Sequence, residues 1–394
     1  MTKSLSMREP IIVTEKVQLA ELCSKWSTLD ALALDTEFVR TNTFFPKVGL
    51  LQVADKEHCY LIDPLGISDW SEFCDLITNP DVCIILHSCT EDLGLLNTFL
   101  GVVPASVFDT QLAAAYLGLG FSISYQALVS KIAGVDIPKE ETRSDWLHRP
   151  LSNKQMEYAA ADVLYLLDIH SFLKQSLEDK GFLNWFRNDC DLIIETAKAR
   201  DAEKHWDTYY KDISKAWHLD ETGLKYLQKL CYWREQVARQ RDKPRNWILK
   251  NVDLYEIAEH LSSSGELSTS SLATLTQIDR RCLQRYSAAI IDTLQDESIV
   301  HSTIDHSLLN NPLSAGLRKK LKDCQKLVRG KAEQLGFAPE LLGRKRQLVE
   351  LVRNLSNNER SQWPVELNGW RRTVLEAGIG QIMAPGVDNH VQLD

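Results

Sequence analysis

The chain has 394 residues, of which 44% are hydrophobic and 25% are charged. A chain of this length is too long for a single hydrophobic core, which predicts two or three domains. The composition is typical of a globular protein rather than a disordered one. No apolar run approaches the roughly 18 residues of a membrane span, and the first 16 residues lack the apolar stretch of a secretory signal. The nine cysteines include no CxxC pair and indicate reduced thiols. We therefore predict a cytoplasmic protein with no membrane partner.

The net charge of −9 is unevenly distributed. Residues 1–205 carry 18 Lys and Arg against 30 Asp and Glu, whereas the remainder carries 27 against 24. No Lys or Arg occurs between Lys56 and Lys131. An acidic first half suits metal binding, and a mildly basic second half is compatible with phosphate contact.

The first half alternates short apolar runs with amphipathic segments, which predicts an α/β layered domain with a mixed sheet. We expect the segments 48–54 and 59–62 to pair as antiparallel strands, because only a polar turn separates them. The predicted strands are 31–35, 48–54, 59–62, 82–86 and 107–108, and the predicted helices are 70–77, 91–100 and 110–117.

Residues 152–177 are predicted to form one long helix, with Ser152 as its N-cap and Gln155 completing a capping box. Beyond about residue 205 the pattern becomes helix after helix. We expect an α/β domain followed by two all-helical bundle domains, divided into an α/β domain at 1–178, a helical linker at 179–210, a first helical domain at 211–291, a linker at 292–310, a second helical domain at 311–386 and a tail at 387–394.

Carboxylates in apolar surroundings are the main chemical signal of the first half. Asp35 and Glu37, in LALDTEF, lie two residues apart on a predicted strand, so that both side chains point to one face of the sheet. An isolated Asp-x-Glu triplet is usually a solvated pair. Several buried acids in one site, in contrast, are stable as carboxylates only with a positive charge nearby, because burying unpaired charges is costly. Hard oxygen ligands suit Mg²⁺ or Mn²⁺.

Three further residues fit the same site. Asp92 follows a buried strand and falls in the first turn of a helix, where the helix dipole alone could also account for an acid. Tyr158 and Asp162 are four residues apart and share one helix face. We interpret Asp162 as a metal ligand and the Tyr158 hydroxyl as orienting the attacking water, because a tyrosine with a pKa near 10 is a poor base at pH 7.

In this order, the five residues resemble the three motifs of the DEDD superfamily of 3′→5′ exonucleases, in the subclass whose third motif carries tyrosine. The segments DTEFVRTNTFFPKVGLLQVAD, FDTQLAAAYL, RSDWLHRPL and YAAADVLYLL resemble the bacterial ribonuclease D family. The two helical segments resemble the helicase-and-RNase-D C-terminal (HRDC) domain, the second less clearly.

This resemblance implies a ribonuclease-H-like fold that binds two divalent ions, Mg²⁺ or Mn²⁺, through Asp35, Glu37, Asp92 and Asp162. It implies a 3′→5′ exoribonuclease that releases nucleoside 5′-monophosphates and trims the 3′ ends of tRNA precursors. RNA is thus the expected partner, and we expect a monomer.

Substrate contacts are less well defined by the sequence. Arginine and aromatic side chains suit phosphate contact and base stacking, respectively. The candidates near the site are Arg143, His87, Phe44 and Gln52. The candidates for binding the RNA backbone in the helical half are Arg241, Lys243 and Arg245. For each of these residues a structural role is an open alternative.

Two other functions remain open at this point. A DNA 3′→5′ exonuclease would use the same acids, because metal ions act on phosphodiesters in general and only a contact to the 2′-OH selects RNA. A catalytically inactive RNA-binding scaffold would be favoured by the loss of one acid, but all of them are present.

Overall fold

The computed structural model describes residues 9–137, 144–199, 203–299, 302–306, 309–356 and 362–384. The chain forms two compact units. The first unit contains residues 1–39, 48–198 and 313–394, and the second contains residues 40–47 and 199–312. No helix within the described ranges is long and apolar enough to cross a bilayer.

A six-stranded mixed sheet forms the centre of the first unit. Its strands are β1 (Ile11–Val13), β2 (Ala31–Val39), β3 (Lys47–Ala54), β4 (Cys59–Ile62), β5 (Cys83–Leu86) and β6 (Val107–Asp109), in the order β1-β4-β3-β2-β5-β6. Strands β3 and β4 pair antiparallel, as the sequence predicted, whereas β1 with β4, β2 with β5, and β5 with β6 pair parallel. The predicted fold class is confirmed, although the three-residue strand β1 was not predicted.

Helices cover both faces of this sheet. They are α1 (Lys16–Trp26), α2 (Ser71–Thr78), α3 (Thr90–Leu100), α4 (Thr110–Tyr116), α5 (Tyr125–Ala133), α6 (Asn153–Leu164), α7 (Leu166–Asp179) and α8 (Leu183–Ala199). Alternation along β2 sends Leu32 and Leu34 into a core with α1, α2 and α3, and Ala33 into a core with α4 to α7. Helix α8 adds Phe186 and Cys190 to the second of these cores.

The prediction of one long helix over 152–177 is wrong, because the helix breaks at Tyr165 between α6 and α7. The Tyr125 hydroxyl donates to the Ala161 carbonyl (3.1 Å) and accepts from the Tyr165 N–H (3.2 Å). These are the two groups that would otherwise bond each other in the helix ladder, so the inserted hydroxyl accounts for the break. The predicted capping box of Ser152 and Gln155 is confirmed at the start of α6.

The second unit is helical, as predicted. It contains 3₁₀ helices at Glu203–Asp212 and Ala216–His218, followed by α9 (Glu221–Gln240), α10 (Arg245–Ile248), α11 (Asn251–Ser264), α12 (Thr269–Leu275) and α13 (Arg280–Gln295). Residues 40–47, which follow β2 in the chain, belong to this unit. Phe44 lies in its core, and the Asp242 carboxylate accepts hydrogen bonds from the backbone N–H groups of Phe44 and Phe45 (2.9 and 3.0 Å).

The second helical domain belongs to the first unit together with the α/β domain. It consists of α14 (Ala315–Leu335), α15 (Pro339–Leu342), α16 (Lys345–Ser356), a 3₁₀ turn at Val365–Leu367, and α17 (Trp370–Met383). The rings of Phe337 and Trp370 contact Tyr116 of α4, and Trp370 stacks on Trp185 of α8 (4.6 Å between centroids). Apolar packing therefore joins this domain to the α/β domain.

Candidate active site

Three of the predicted acids meet where β2 faces α6. Asp35 and Glu37 lie on the same face of β2 as Ala33, which packs against α6, and Asp162 lies on α6 itself. A carboxylate oxygen from each of the three lies within 4.8 Å of the others. Such a set of hard oxygen donors fits a divalent cation of the Mg²⁺ or Mn²⁺ type.

The electrostatics of this cluster also call for a cation. Burial, together with the charge of the neighbouring carboxylates, raises the pKa of Glu37 to about 8 and that of Asp35 well above its usual range. Burial raises the pKa of Asp162 to about 7. Three crowded carboxylates resist ionisation together unless a positive charge compensates them. Within the described ranges, no Lys, Arg or His forms an ion pair with these three carboxylates, which leaves their charge uncompensated there.

Tyr158 lies one turn before Asp162 on α6, so the two side chains share one face of the helix. Burial and the surrounding carboxylates raise the pKa of Tyr158 well above its ordinary value, so the hydroxyl stays protonated at neutral pH. The buried Trp146 supports this ring at 6.2 Å between centroids. Trp146 sits over β3 at Gly49, where an added Cβ would come within 2.6 Å of the Trp146 Cβ. Tyr158 thus presents a protonated hydroxyl near the acid cluster.

Asp92 is not part of the three-carboxylate group. It is buried in the first turn of α3, and it accepts a hydrogen bond from the Thr36 hydroxyl. Thr36 lies between Asp35 and Glu37 and therefore points to the other face of β2. Burial raises the pKa of Asp92 to about 7, and its charge raises the pKa values of Asp35 and Glu37. Asp92 is an electrostatic neighbour of the cluster.

Sequence reasoning missed Thr36 and two further residues that position the site. Tyr125 fixes the break after Asp162, as described above. Asp109 caps α4 and also accepts from the backbone N–H groups of Ser88 and Cys89 (both 3.0 Å), which precede α3 and Asp92. The sequence shows Asp109 only as an acid between a short strand and a helix, which suggests a helix cap. It does not predict the hydrogen bonds of Asp109 to the backbone at residues 88 and 89.

The predicted substrate contacts near the site have different surroundings. His87 hydrogen-bonds the Thr110 hydroxyl (2.9 Å) and the Ile123 carbonyl (3.1 Å), so both of its ring nitrogens are engaged within the fold. Gln52 shares the Asp35 face of the sheet with Leu50 and Ala54, and both atoms of its buried amide are without a partner among the described residues. Arg143 lies outside the described residues.

The other predicted contacts lie in the second unit. The Phe44 ring is buried beneath the guanidinium groups of Arg239 (4.7 Å) and Arg245 (4.8 Å). Arg241 is exposed and lies 5.3 Å from the ring centre of Tyr286, while the ammonium of Lys243 donates to the Asn42 carbonyl (3.4 Å). Phe44 therefore packs in a core, whereas the Arg241 side chain remains accessible to solvent.

Comparison with known proteins agrees with this fold and site. The family model described as 3′-5′ exonuclease matches residues 10–178, the HRDC domain model matches residues 224–294, and the model described as Ribonuclease D, C-terminal HRDC domain matches residues 315–379. The α/β domain with its acid cluster thus defines a metal-dependent 3′→5′ exonuclease, extended by two HRDC domains.

Relatives of known name are similar over nearly the whole chain. Ribonuclease D of Pseudomonas paraeruginosa is 35% identical over 91% of this chain and 94% of its own length, and ribonuclease D of Escherichia coli is 34% identical over 97% and 98%. The crystal structure of Escherichia coli RNase D, described as an exoribonuclease involved in structured RNA processing, superimposes with a TM-score of 0.85 and 31% identity, covering 95% of this chain and 99% of that one. The chain belongs to the ribonuclease D family and is a 3′→5′ exoribonuclease.

Proposed function

We propose that this enzyme hydrolyses the terminal phosphodiester of an RNA strand with two divalent cations, Mg²⁺ or Mn²⁺, and releases nucleoside 5′-monophosphates. The observation that carries this proposal is the meeting of Asp35, Glu37 and Asp162 within 4.8 Å. These three carboxylates would hold the cations, and Asp92 would contribute through its charge or through a bound water. When bound, the cations supply Lewis-acid activation of water and charge stabilisation at the phosphate.

The residues of the chain contribute orientation. The Tyr158 hydroxyl is protonated at neutral pH, so it would hold the attacking water by a hydrogen bond rather than remove its proton. The buried Gln52 amide lies on the same sheet face and is suited to a sugar hydroxyl of the terminal nucleotide. This contact is the candidate for selecting RNA over DNA at the site.

We further propose that the physiological substrates are tRNA precursors with 3′ extensions, processed in the cytoplasm by a monomeric enzyme. The described ranges hold no helix that could span a membrane, and all nine cysteines are free thiols. The relative from Escherichia coli is described as acting on structured RNA, which supports a folded RNA substrate here.

The metal site is tested by the variant Asp162→Asn. We expect mononucleotide release in Mg²⁺ to fall at least 100-fold, and Mn²⁺ binding measured by calorimetry to weaken, because one of three carboxylate ligands is lost. The melting temperature without metal should not fall, since the substitution relieves like-charge repulsion. The matched control is Asp168→Asn, an exposed acid at the start of α7. Wild-type cleavage by Asp162→Asn would refute the metal-site proposal.

The substrate proposal needs a separate assay. A 3′-extended tRNA, an unstructured RNA oligomer and a DNA oligomer matched in sequence would be compared, with Mg²⁺ and with EDTA. We expect mononucleotides from both RNAs, faster trimming of the tRNA extension, and no product with EDTA. Equal cleavage of the DNA oligomer would contradict RNA selection, and equal rates on both RNAs would contradict the preference for tRNA precursors.

A further inference from the structure

A cavity of about 600 Å³ lies within the second unit, distinct from the acid cluster of the first unit. Segment 40–47 forms one part of its wall, and the 3₁₀ helix Glu203–Asp212, α9 and the region around α10 form the rest. Its charged lining residues are Arg40, Arg234, Arg245 and Asp212, three cations against one carboxylate.

Arg234 is the most informative residue of this cavity. Arg234 is only 5% exposed. Its Nη1 donates to the Leu249 carbonyl (3.0 Å) and to Asn251 Oδ1 (2.7 Å). Its Nε is buried and has no hydrogen-bond partner among the described residues. Over the same ranges, no carboxylate forms an ion pair with Arg234, whereas Glu235 pairs with both Arg239 and Arg245.

A buried guanidinium without a counter-charge is costly, and an anion bound beside it relieves that cost. Burial lowers the pKa of Arg234, which reflects the same missing compensation. Asp212, which also lines the cavity, makes no ion pair with Arg234 in the described structure. The cavity lining therefore carries an excess of positive charge around a buried guanidinium that has no ion pair among the described residues.

The second arginine of the wall is held in place before any ligand arrives. Glu235, which is buried, accepts from both Nε and Nη2 of Arg245. The Arg245 guanidinium also lies 4.8 Å from the ring centre of Phe44 and 5.6 Å from that of Tyr209. A guanidinium fixed in this way presents its remaining donor edge without a further loss of side-chain freedom. Arg40 adds an exposed third cation at the same wall.

We propose that this cavity is a phosphate-binding subsite, with Arg234 and Arg245 as its fixed donors and Arg40 as a mobile one. A phosphate group suits planar guanidinium donors, and the asparagine amides in the wall suit the adjoining sugar oxygens. The phosphate could come from the backbone of a bound RNA strand or from a released mononucleotide. The existence of the subsite rests on the cavity alone, whereas the choice of RNA as its source rests on the exoribonuclease activity.

The test measures binding by the full chain in EDTA, where no cleavage occurs. A labelled single-stranded RNA oligomer is titrated at several salt concentrations into wild type, Arg40→Ala and Arg234→Gln. The matched control is Arg280→Ala, an exposed arginine of the same unit that lines neither this cavity nor the neighbouring one. Each cavity variant should weaken RNA binding about 10-fold and reduce the slope of log K against log salt by about 0.7, as expected when one phosphate contact of a single strand is lost. Arg280→Ala should change neither quantity.

Adenosine 5′-monophosphate and inorganic phosphate serve as competitors. Competition that depends on Arg234 assigns the subsite to the released nucleotide, and loss of RNA binding without such competition assigns it to the strand. Because Arg234→Gln could disturb the fold, its melting temperature is measured, and Arg40→Ala alone still decides the question. RNA and phosphate binding unchanged in both variants would overturn the proposal. Asp162→Asn separates this outcome from a failure of the catalytic proposal, since it should lose cleavage and retain RNA binding.

Discussion

Replacing Asp189 by asparagine should strongly destabilise the attachment of the second HRDC domain to the exonuclease domain. Asp189 lies on α8 and is only 6% exposed. Its carboxylate accepts from Nη1 and Nη2 of Arg371 (2.6 and 2.7 Å), from the Tyr116 hydroxyl (2.6 Å) and from the indole of Trp370 (3.2 Å). One charge thus compensates a buried arginine and joins residues of both domains.

Loss of this charge leaves the Arg371 guanidinium, whose side chain is 12% exposed, without its partner. Breaking a buried pair from one side costs about 3–5 kcal/mol. At about 2–4 °C per kcal/mol for a unit of this size, the melting temperature should fall by roughly 10 °C. The replacement keeps the side-chain volume, so lost charge and not a cavity would account for the change.

The assay is thermal and urea unfolding of the full chain. The matched control is Asp191→Asn, an exposed acid two residues further along α8, which should change the unfolding free energy by less than about 0.5 kcal/mol. Equal unfolding curves for the two variants would show that the Asp189 cluster does not hold the domains together.

Three further predictions concern the catalytic domain. Tyr158→Phe should slow cleavage about 10- to 100-fold through loss of water orientation, with Mn²⁺ affinity and the shape of the pH–rate profile unchanged; a shifted profile would indicate a base instead. Tyr125→Phe should cost about 1–3 kcal/mol in urea unfolding, because the Ala161 carbonyl and the Tyr165 N–H lose their shared partner, and an unchanged midpoint would contradict the account of the helix break. Burial lowers the pKa of His170 to about 4. Below about pH 6.5 this histidine therefore binds a proton in the unfolded chain but not in the folded one. The free energy of unfolding should decrease as the pH falls from 6.5 towards 4. The measurement is urea unfolding of wild type and His170→Gln at pH 8 and pH 5. If both proteins lose the same free energy of unfolding, His170 does not cause the pH dependence.

Much of the exonuclease fold could be predicted because it is encoded locally. Apolar runs bounded by polar turns located β3 and β4, and the pair Ser152 and Gln155 located the start of α6. The period of a strand also placed Asp35 and Glu37 on one sheet face, which is where the structure has them.

The remaining features depend on contacts between distant residues. The break at Tyr165 is caused by a hydroxyl 40 positions away, and nothing in the local sequence 152–177 signals it. Likewise, the partner of Asp92 is Thr36, a residue 56 positions earlier whose side chain points away from the acids beside it. Periodicity assigns a side chain to a face, but it does not identify what that side chain meets there.

The membership of segment 40–47 in the helical unit bears on how modular this enzyme is. The matched exonuclease model runs continuously from residue 10 to 178, yet Phe44 within that range is covered by Arg239 and Arg245 of the HRDC unit. If the chain ended after the exonuclease domain, Phe44 would lose its contacts with Arg239 and Arg245. The exposed aromatic loop would then directly follow in sequence β2, the strand that carries Asp35 and Glu37. Exchange of HRDC domains between relatives would therefore have to carry the loop along, and the loop and the domain should change together during evolution.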